Sequence, residues 1–167
     1  LFGKEHQLTR IRPIDQPGQY ACEERVTIKT KHGRLKDLRI VGPERETTQV
    51  EITKTEAYHL KIKPPIKSSV TTAGKEATMI EIAGPKGKIK IRAVIIARRH
   101  LHLNPGQAQE LNLKDQDLIK VKVKGKRALT FKKVLVRVDK KYDKALHIDT
   151  DEANAANISR EGEGEIV

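Results

Sequence analysis

Two short stretches hold three of the six histidines of this chain, Arg99-His100-Leu101-His102 and Leu146-His147-Ile148-Asp149-Thr150-Asp151-Glu152-Ala153-Asn154. Side chains two apart on a β-strand point to the same face, so His100 and His102 can turn two imidazoles towards one ion while Leu101 faces the core. A pair of this kind also arises by chance on solvated strands. The third histidine strengthens the reading, because His147 lies between Leu146 and Ile148 at the end of an alternating run and faces away from them. Neutral imidazole is the commonest metal ligand, and a catalytic zinc site keeps three protein ligands and one open position. The competing reading makes all three surface or hydrogen-bonding residues with no shared partner.

Strands must position these groups. Alternating apolar runs cover 26–31, 35–41, 50–53, 88–96, 118–124 and 134–138, bounded by turn signals such as His32-Gly33, Gly42-Pro43, Gly84-Pro85-Lys86-Gly87 and Gly125. Helical candidates are few: 104–111, with Asn104 as N-cap and Pro105 at the first helical position, 55–60, and 150–156, whose first turn carries Asp151 and Glu152.

Composition agrees with a β-rich chain. Of 167 residues, 37% are apolar and 3% aromatic with no Trp, so the core is built from Val, Ile, Leu and Ala. A lone cysteine, Cys22, forms no internal disulfide, fits a reducing compartment, and reads as a small buried residue rather than an acyl carrier, with no histidine near it in sequence. No segment has the apolar length of a membrane helix or a signal peptide, so a soluble protein is expected. The net charge of +12 suits either a nucleic-acid backbone or a smaller polyanion such as a nucleotide cofactor or phosphate. Five scattered Tyr and Phe residues form no aromatic-rich binding motif, which weighs against nucleic acid. Much of the charge reads as solvated strand face, as in Lys120-Val121-Lys122-Val123-Lys124.

An internal repeat appears when residues 50–57 are laid on 146–153, and 26–31 with its Gly turn on 119–124 with Gly125. Glu51 then stands in the place of His147, and both types ligate metals. The expected fold is mainly β, two related small β-barrel domains with a few short helices. The first unit is placed at 1–83, exchanging a segment with the second at 84–157, and 158–167 is expected to be a mobile acidic tail. The matched positions would lie near the junction of the two units, a usual place for ligands.

The motifs Gly42-Pro43-Glu44-Arg45, Thr48-Gln49-Val50-Glu51-Ile52, Arg99-His100-Leu101-His102 and His147-Ile148-Asp149-Thr150-Asp151-Glu152-Ala153-Asn154-Ala155 resemble the PduL-type phosphotransacylases, the phosphate propanoyltransferases. Gln16-Pro17-Gly18-Gln19-Tyr20 is similar to that family's opening segment, and the resemblance runs from about residue 1 to about 157. It implies a two-barrel fold, usually dimeric, with a two-zinc centre that exchanges a propanoyl or acetyl group between coenzyme A and phosphate. The implied metal ligands are Glu51, His100, His102 and His147. Arg45 would hold phosphate, and Arg39 and Asn154 would contact the coenzyme. The implied partners are acyl-CoA, phosphate, acyl phosphate, a second copy of the chain, and shell or core proteins of a bacterial microcompartment for propanediol degradation. The location is then the cytoplasm or the microcompartment lumen, with no membrane.

Two departures stand out. The family carries a His-x-His pair a short way upstream of the Leu1-Phe2-Gly3 with which this chain begins, and that pair is absent here. The reading is a truncated chain in which one of the two zincs loses most of its ligands; His6 would be a poor substitute, lacking a second histidine at the strand spacing. Lys67-Ser68-Ser69-Val70 stands where the family tends to have Ser-Gly-Asp, which bears on a local turn and not on the metal site. The chemistry suits the residues, since zinc can polarise a carbonyl or stabilise a thiolate and Arg45 offers a planar fork to phosphate oxygens. Without the resemblance, Arg45 reads equally as an ion-pair partner of Glu44 or Glu46. The alternative function is a basic β-barrel that binds nucleic acid, and a third is a scaffold that keeps the fold without catalysis.

Overall fold

Alternation along residues 20–29 sets the first long strand: Cys22, Val26 and Ile28 are buried on one face. The buried Glu24 shares that face and is answered there, accepting hydrogen bonds from the Thr9 amide at 3.0 Å and from His6 Nε2 at 2.8 Å. His6 is thus committed to a carboxylate. A computed structural model describes residues 1–14 and 16–167, which divide into two compact units, Leu1–Ile96 and Ala97–Val167.

The first unit contains β1 (Arg10–Pro13), β2 (Tyr20–Lys29), β3 (Arg34–Gly42), β4 (Val50–Glu51), α1 (Lys54–His59), β5 (Ile66–Lys67), α2 (Val70–Ala73), β6 (Thr78–Gly84) and β7 (Gly87–Ala97). Its seven strands form one sheet, ordered β1-β2-β6-β7-β4, with β3 on β2 and β5 on β7. Its core gathers Val26, Ile28, Ile52, Leu60, Ile80, Ile82 and Val94. The second unit holds β8 (His100–Leu103), α3 (Pro105–Glu110), β9 (Leu118–Val123), β10 (Leu129–Val138), β11 (Ala145–His147), α4 (Thr150–Ala155) and β12 (Gly164–Ile166). Its five-stranded sheet runs β11-β8-β10-β9-β12 over a core of Leu101, Leu103, Val121, Val123, Phe131, Val134 and Val136. The fold is mainly β, in two small barrel-like domains.

The repeat is threefold rather than twofold. Hairpins β2–β3, β6–β7 and β9–β10 each lead into a short strand, a capped helical turn and a left-handed residue. The caps are Thr53 with Glu56, Asn104 with Gln107, and Asp149 with Glu152, each pair closing a reciprocal capping box. The helices end at Lys61 (φ 52°), Asn112 (φ 52°) and Asn157 (φ 58°). The amides of Ile62, Leu113 and Ile158 then reach back to the carbonyls of Ala57, Ala108 and Ala153, at 3.0, 2.9 and 2.9 Å. This Schellman arrangement satisfies the last carbonyls of each turn. Two residues before each N-cap stand Glu51, His102 and His147.

Two boundaries differ from the sequence reading. The units divide between Ile96 and Ala97 and not between 83 and 84, because Gly84 and Gly87 close the β6–β7 hairpin within one sheet. The segment 158–167 is not wholly a tail either. Gly164–Ile166 pairs antiparallel with β9, the Val167 amide donates to the Lys120 carbonyl at 3.0 Å, and Glu165 faces Lys124 at 3.5 Å. One acidic residue of the segment, Glu165, thus finds a lysine just beyond the end of β9.

Candidate metal centre

β8 is held on both sides, by β10 in parallel and by β11 antiparallel, with His147 opposite His100 and Ala145 opposite His102. That register brings the three imidazoles together: ring centroids lie 4.6 Å apart for His100 and His102, 5.0 Å for His100 and His147, and 4.5 Å for His102 and His147. One ligand nitrogen from each lies within 4.8 Å of the others, a group that could hold a metal ion.

The pair does not sit on a solvated face, as the competing surface reading would have it. His102 is only 3% exposed and His100 is half-buried. The Nε2 atoms of His100 and His102 are buried without a hydrogen-bond partner among the described residues, and His147 Nε2 is buried beside them. An unanswered buried polar atom costs about 1–3 kcal/mol, so inward nitrogens of this kind need a ligand to justify them. His100 Nδ1 donates to the Arg98 carbonyl at 2.8 Å, which leaves the Nε2 lone pair directed at the cluster. Tyr142 stacks on the His102 ring at 3.8 Å and 9°, and Arg137 lies over Tyr142 at 5.8 Å.

Electrostatics keeps the His100 and His102 rings neutral. Burial pushes the His102 pKa down to about 3, helped by His100, His147 and Arg137 and opposed by Asp139. His100 is lowered as well, by burial first and then by Arg137, against its bond to Arg98. A buried, uncharged imidazole with a free nitrogen is the form that binds a metal. The donor set therefore fits a borderline divalent cation such as zinc.

The other residues singled out from the sequence lie in the first unit or on the surface. Glu51 ends β4, exposed, and accepts a hydrogen bond from Gln49 Nε2, while Gln49 Oε1 accepts from the Val70 amide at 2.7 Å. Arg45 is exposed between β3 and β4 and donates to Gln19 Oε1. Arg39, on β3, donates to the Cys22 carbonyl. Asn154 is exposed on α4. Cys22 is 0% exposed, and burial followed by the nearby Glu24 charge pushes its thiol pKa up. Ser69, in the stretch that departs from the family pattern, caps α2. Sequence reasoning missed Tyr142 and Arg99. Tyr142 carries no local signal, whereas Arg99 adjoins the histidine pair and could have been found from that position.

A β-sheet scaffold that gathers three imidazoles into a cluster able to hold a metal ion defines a mainly β protein with a candidate metal centre. Comparison with known proteins narrows this: residues 1–159 match the family model described as phosphate propanoyltransferase. A phosphate propanoyltransferase of Thermotoga maritima is 44% identical over 161 residues, covering 95% of this chain and 76% of the relative. That of Clostridioides difficile is 40% identical, covering 96% and 76%. That of Enterococcus faecalis is 35% identical, covering 100% and 79%. The chain belongs to the phosphate propanoyltransferase family and is an acyltransferase.

Proposed function

We propose that the protein exchanges a short acyl group, propanoyl or acetyl, between coenzyme A and inorganic phosphate, with zinc held by His100, His102 and His147. The observation that carries the metal assignment is the pair of buried, unanswered Nε2 atoms on His100 and His102. Zinc bound there would supply Lewis-acid chemistry to a thioester carbonyl or to the departing thiolate of coenzyme A. Glu51 is the further proposed metal ligand, its carboxylate oriented by Gln49.

The remaining roles fall to the chain's own groups. Arg45, exposed and already donating to a neutral amide oxygen, has donors to offer phosphate in a planar fork. A phosphate oxygen attacks the thioester carbon, the carbon–sulfur bond breaks, and the electron pair leaves on the thiolate, giving acyl phosphate and coenzyme A. Burial of Cys22 supports direct transfer over an acyl-cysteine, because a buried thiol with a raised pKa is a poor nucleophile. Arg39 and Asn154 are the proposed coenzyme contacts. In the cell the protein would act as a homodimer, in the cytoplasm or a microcompartment lumen.

The test joins elemental analysis to an assay of acyl phosphate formation from propanoyl-CoA. Bound zinc that is lost together with activity in His147→Ala supports the reading. A chain that takes up no metal when zinc is supplied, or turns over equally without it, would refute it.

A further inference from the structure

β11 is three residues long and lies at the edge of its sheet, paired only with β8. A strand so short is held by few backbone hydrogen bonds and is prone to open locally. Yet it carries His147, which must keep its place against His100 and His102. A second tie spans the same gap. Arg99 immediately precedes β8, and its Nε donates to Glu152 Oε1 at 2.7 Å, with both side chains partly buried. The other oxygen of Glu152 accepts the Asp149 amide at 3.2 Å, and Asp149 follows His147 by two residues. The root of Arg99 is fixed as well: its carbonyl accepts the Leu135 amide at 3.2 Å, and its guanidinium lies over the Phe131 ring at 5.4 Å.

The three copies of the module show that this tie is more than capping. Glu56 and Gln107 occupy the place of Glu152 and close their capping boxes. Gln107 does so as a neutral amide, its Oε1 accepting the Asn104 amide at 3.0 Å. A carboxylate is therefore dispensable for the cap. In the copy that carries His147, the carboxylate has a cationic partner, and that partner adjoins His100.

We propose that Arg99 and Glu152 form a positioning pair that holds His147 against His100 and His102 and so sets the affinity of the metal centre. The inference rests on the metal reading above. Neither residue ligates the ion; each acts through the strand or turn that carries a ligand. Losing such outer support typically weakens metal binding by about 10–100-fold.

Glu152→Gln separates the two roles, since Gln keeps the cap and gives up the ion pair. Zinc affinity would be measured by competition with a chromophoric chelator for the parent, E152Q, R99Q and the double variant, alongside the cobalt visible spectrum and the melting temperature of the metal-free proteins. The expected result is about tenfold weaker zinc binding in either single variant, a changed cobalt spectrum, and a double variant no weaker than the singles, as coupled partners require. A merely structural role would lower the metal-free melting temperature and leave the affinity and cobalt spectrum of the folded protein alone. Zinc affinities within twofold of the parent, or losses that add in the double variant, would overturn the pair. A parent that binds no zinc would overturn the metal reading and the pair together, so the two failures are told apart by the parent alone.

Discussion

Acid should destabilise this protein through His102 in particular. The ring is 3% exposed and its pKa lies at about 3, against 6.5 for an ordinary histidine. The sign follows from proton counting. Below pH 6.5 the unfolded chain protonates this residue and the folded chain does not, so stability is full above about pH 6.5 and falls as pH drops towards 3. At pH 5 the gap of about 1.5 pH units, at 1.36 kcal/mol each, corresponds to about 2 kcal/mol. The assay is urea unfolding of the chelator-treated protein at pH 7.5 and pH 5.0, followed by far-ultraviolet circular dichroism, for the parent and for His102→Gln. His102→Gln starts from a different stability, but it is the difference between the two pH values that matters. The parent should lose about 2 kcal/mol more than the variant over this interval. Equal losses would refute the claim that burial holds His102 neutral, and with it the argument that the cluster is ready for a cation at neutral pH.

Three further outcomes are expected. Cys22→Ala should keep acyl-transfer turnover within a few-fold of the parent while lowering stability by about 1 kcal/mol through the lost packing, and an inactive but folded variant would revive an acyl-cysteine route. Arg45→Lys should lower kcat/KM for phosphate by about 10–100-fold, because a point charge replaces a planar fork, and unchanged phosphate kinetics would remove Arg45 from the site. Lys61→Gly should raise stability by about 0.5–1 kcal/mol in thermal melts, since Lys61 sits at φ 52° where an L side chain is strained; a loss would mean that its side chain makes a contact of greater worth.

Local chemistry was legible in the sequence, and long-range pairing was not. The period of two in a strand is enough to set His100 and His102 together, and Asn104-Pro105 announces a helix start without further help. That both histidines turn into a buried site could not be read, because the covering of their side of β8 depends on Tyr142 and on His147, which pairing with β11 brings alongside. The middle copy of the repeat was hidden by Pro105-Gly106 and by Gln107 in the place of an acid, although its backbone follows the same course. The turn at Gly84–Gly87 was legible as a turn, but whether it closes a hairpin within one unit or separates two depends on the pairing of β6 with β7. β12 escaped because a three-residue edge strand, Gly164-Glu165-Ile166, is too short to carry an apolar pattern of its own, and it is set by pairing with Val121–Val123 of β9. Tyr142 and the Arg99–Glu152 contact depend on tertiary placement entirely.

The threefold module separates what makes the chain fold from what gives it donors. In each copy the cap and the left-handed exit do the architectural task, and the position two before the cap is left to vary: a carboxylate at Glu51, imidazoles at His102 and His147. Oxygen donors favour harder cations and imidazole nitrogen favours borderline ones. One address, written three times, thus accepts donors of different hardness, and a single substitution there would exchange the donor while leaving every cap and turn around it as it was.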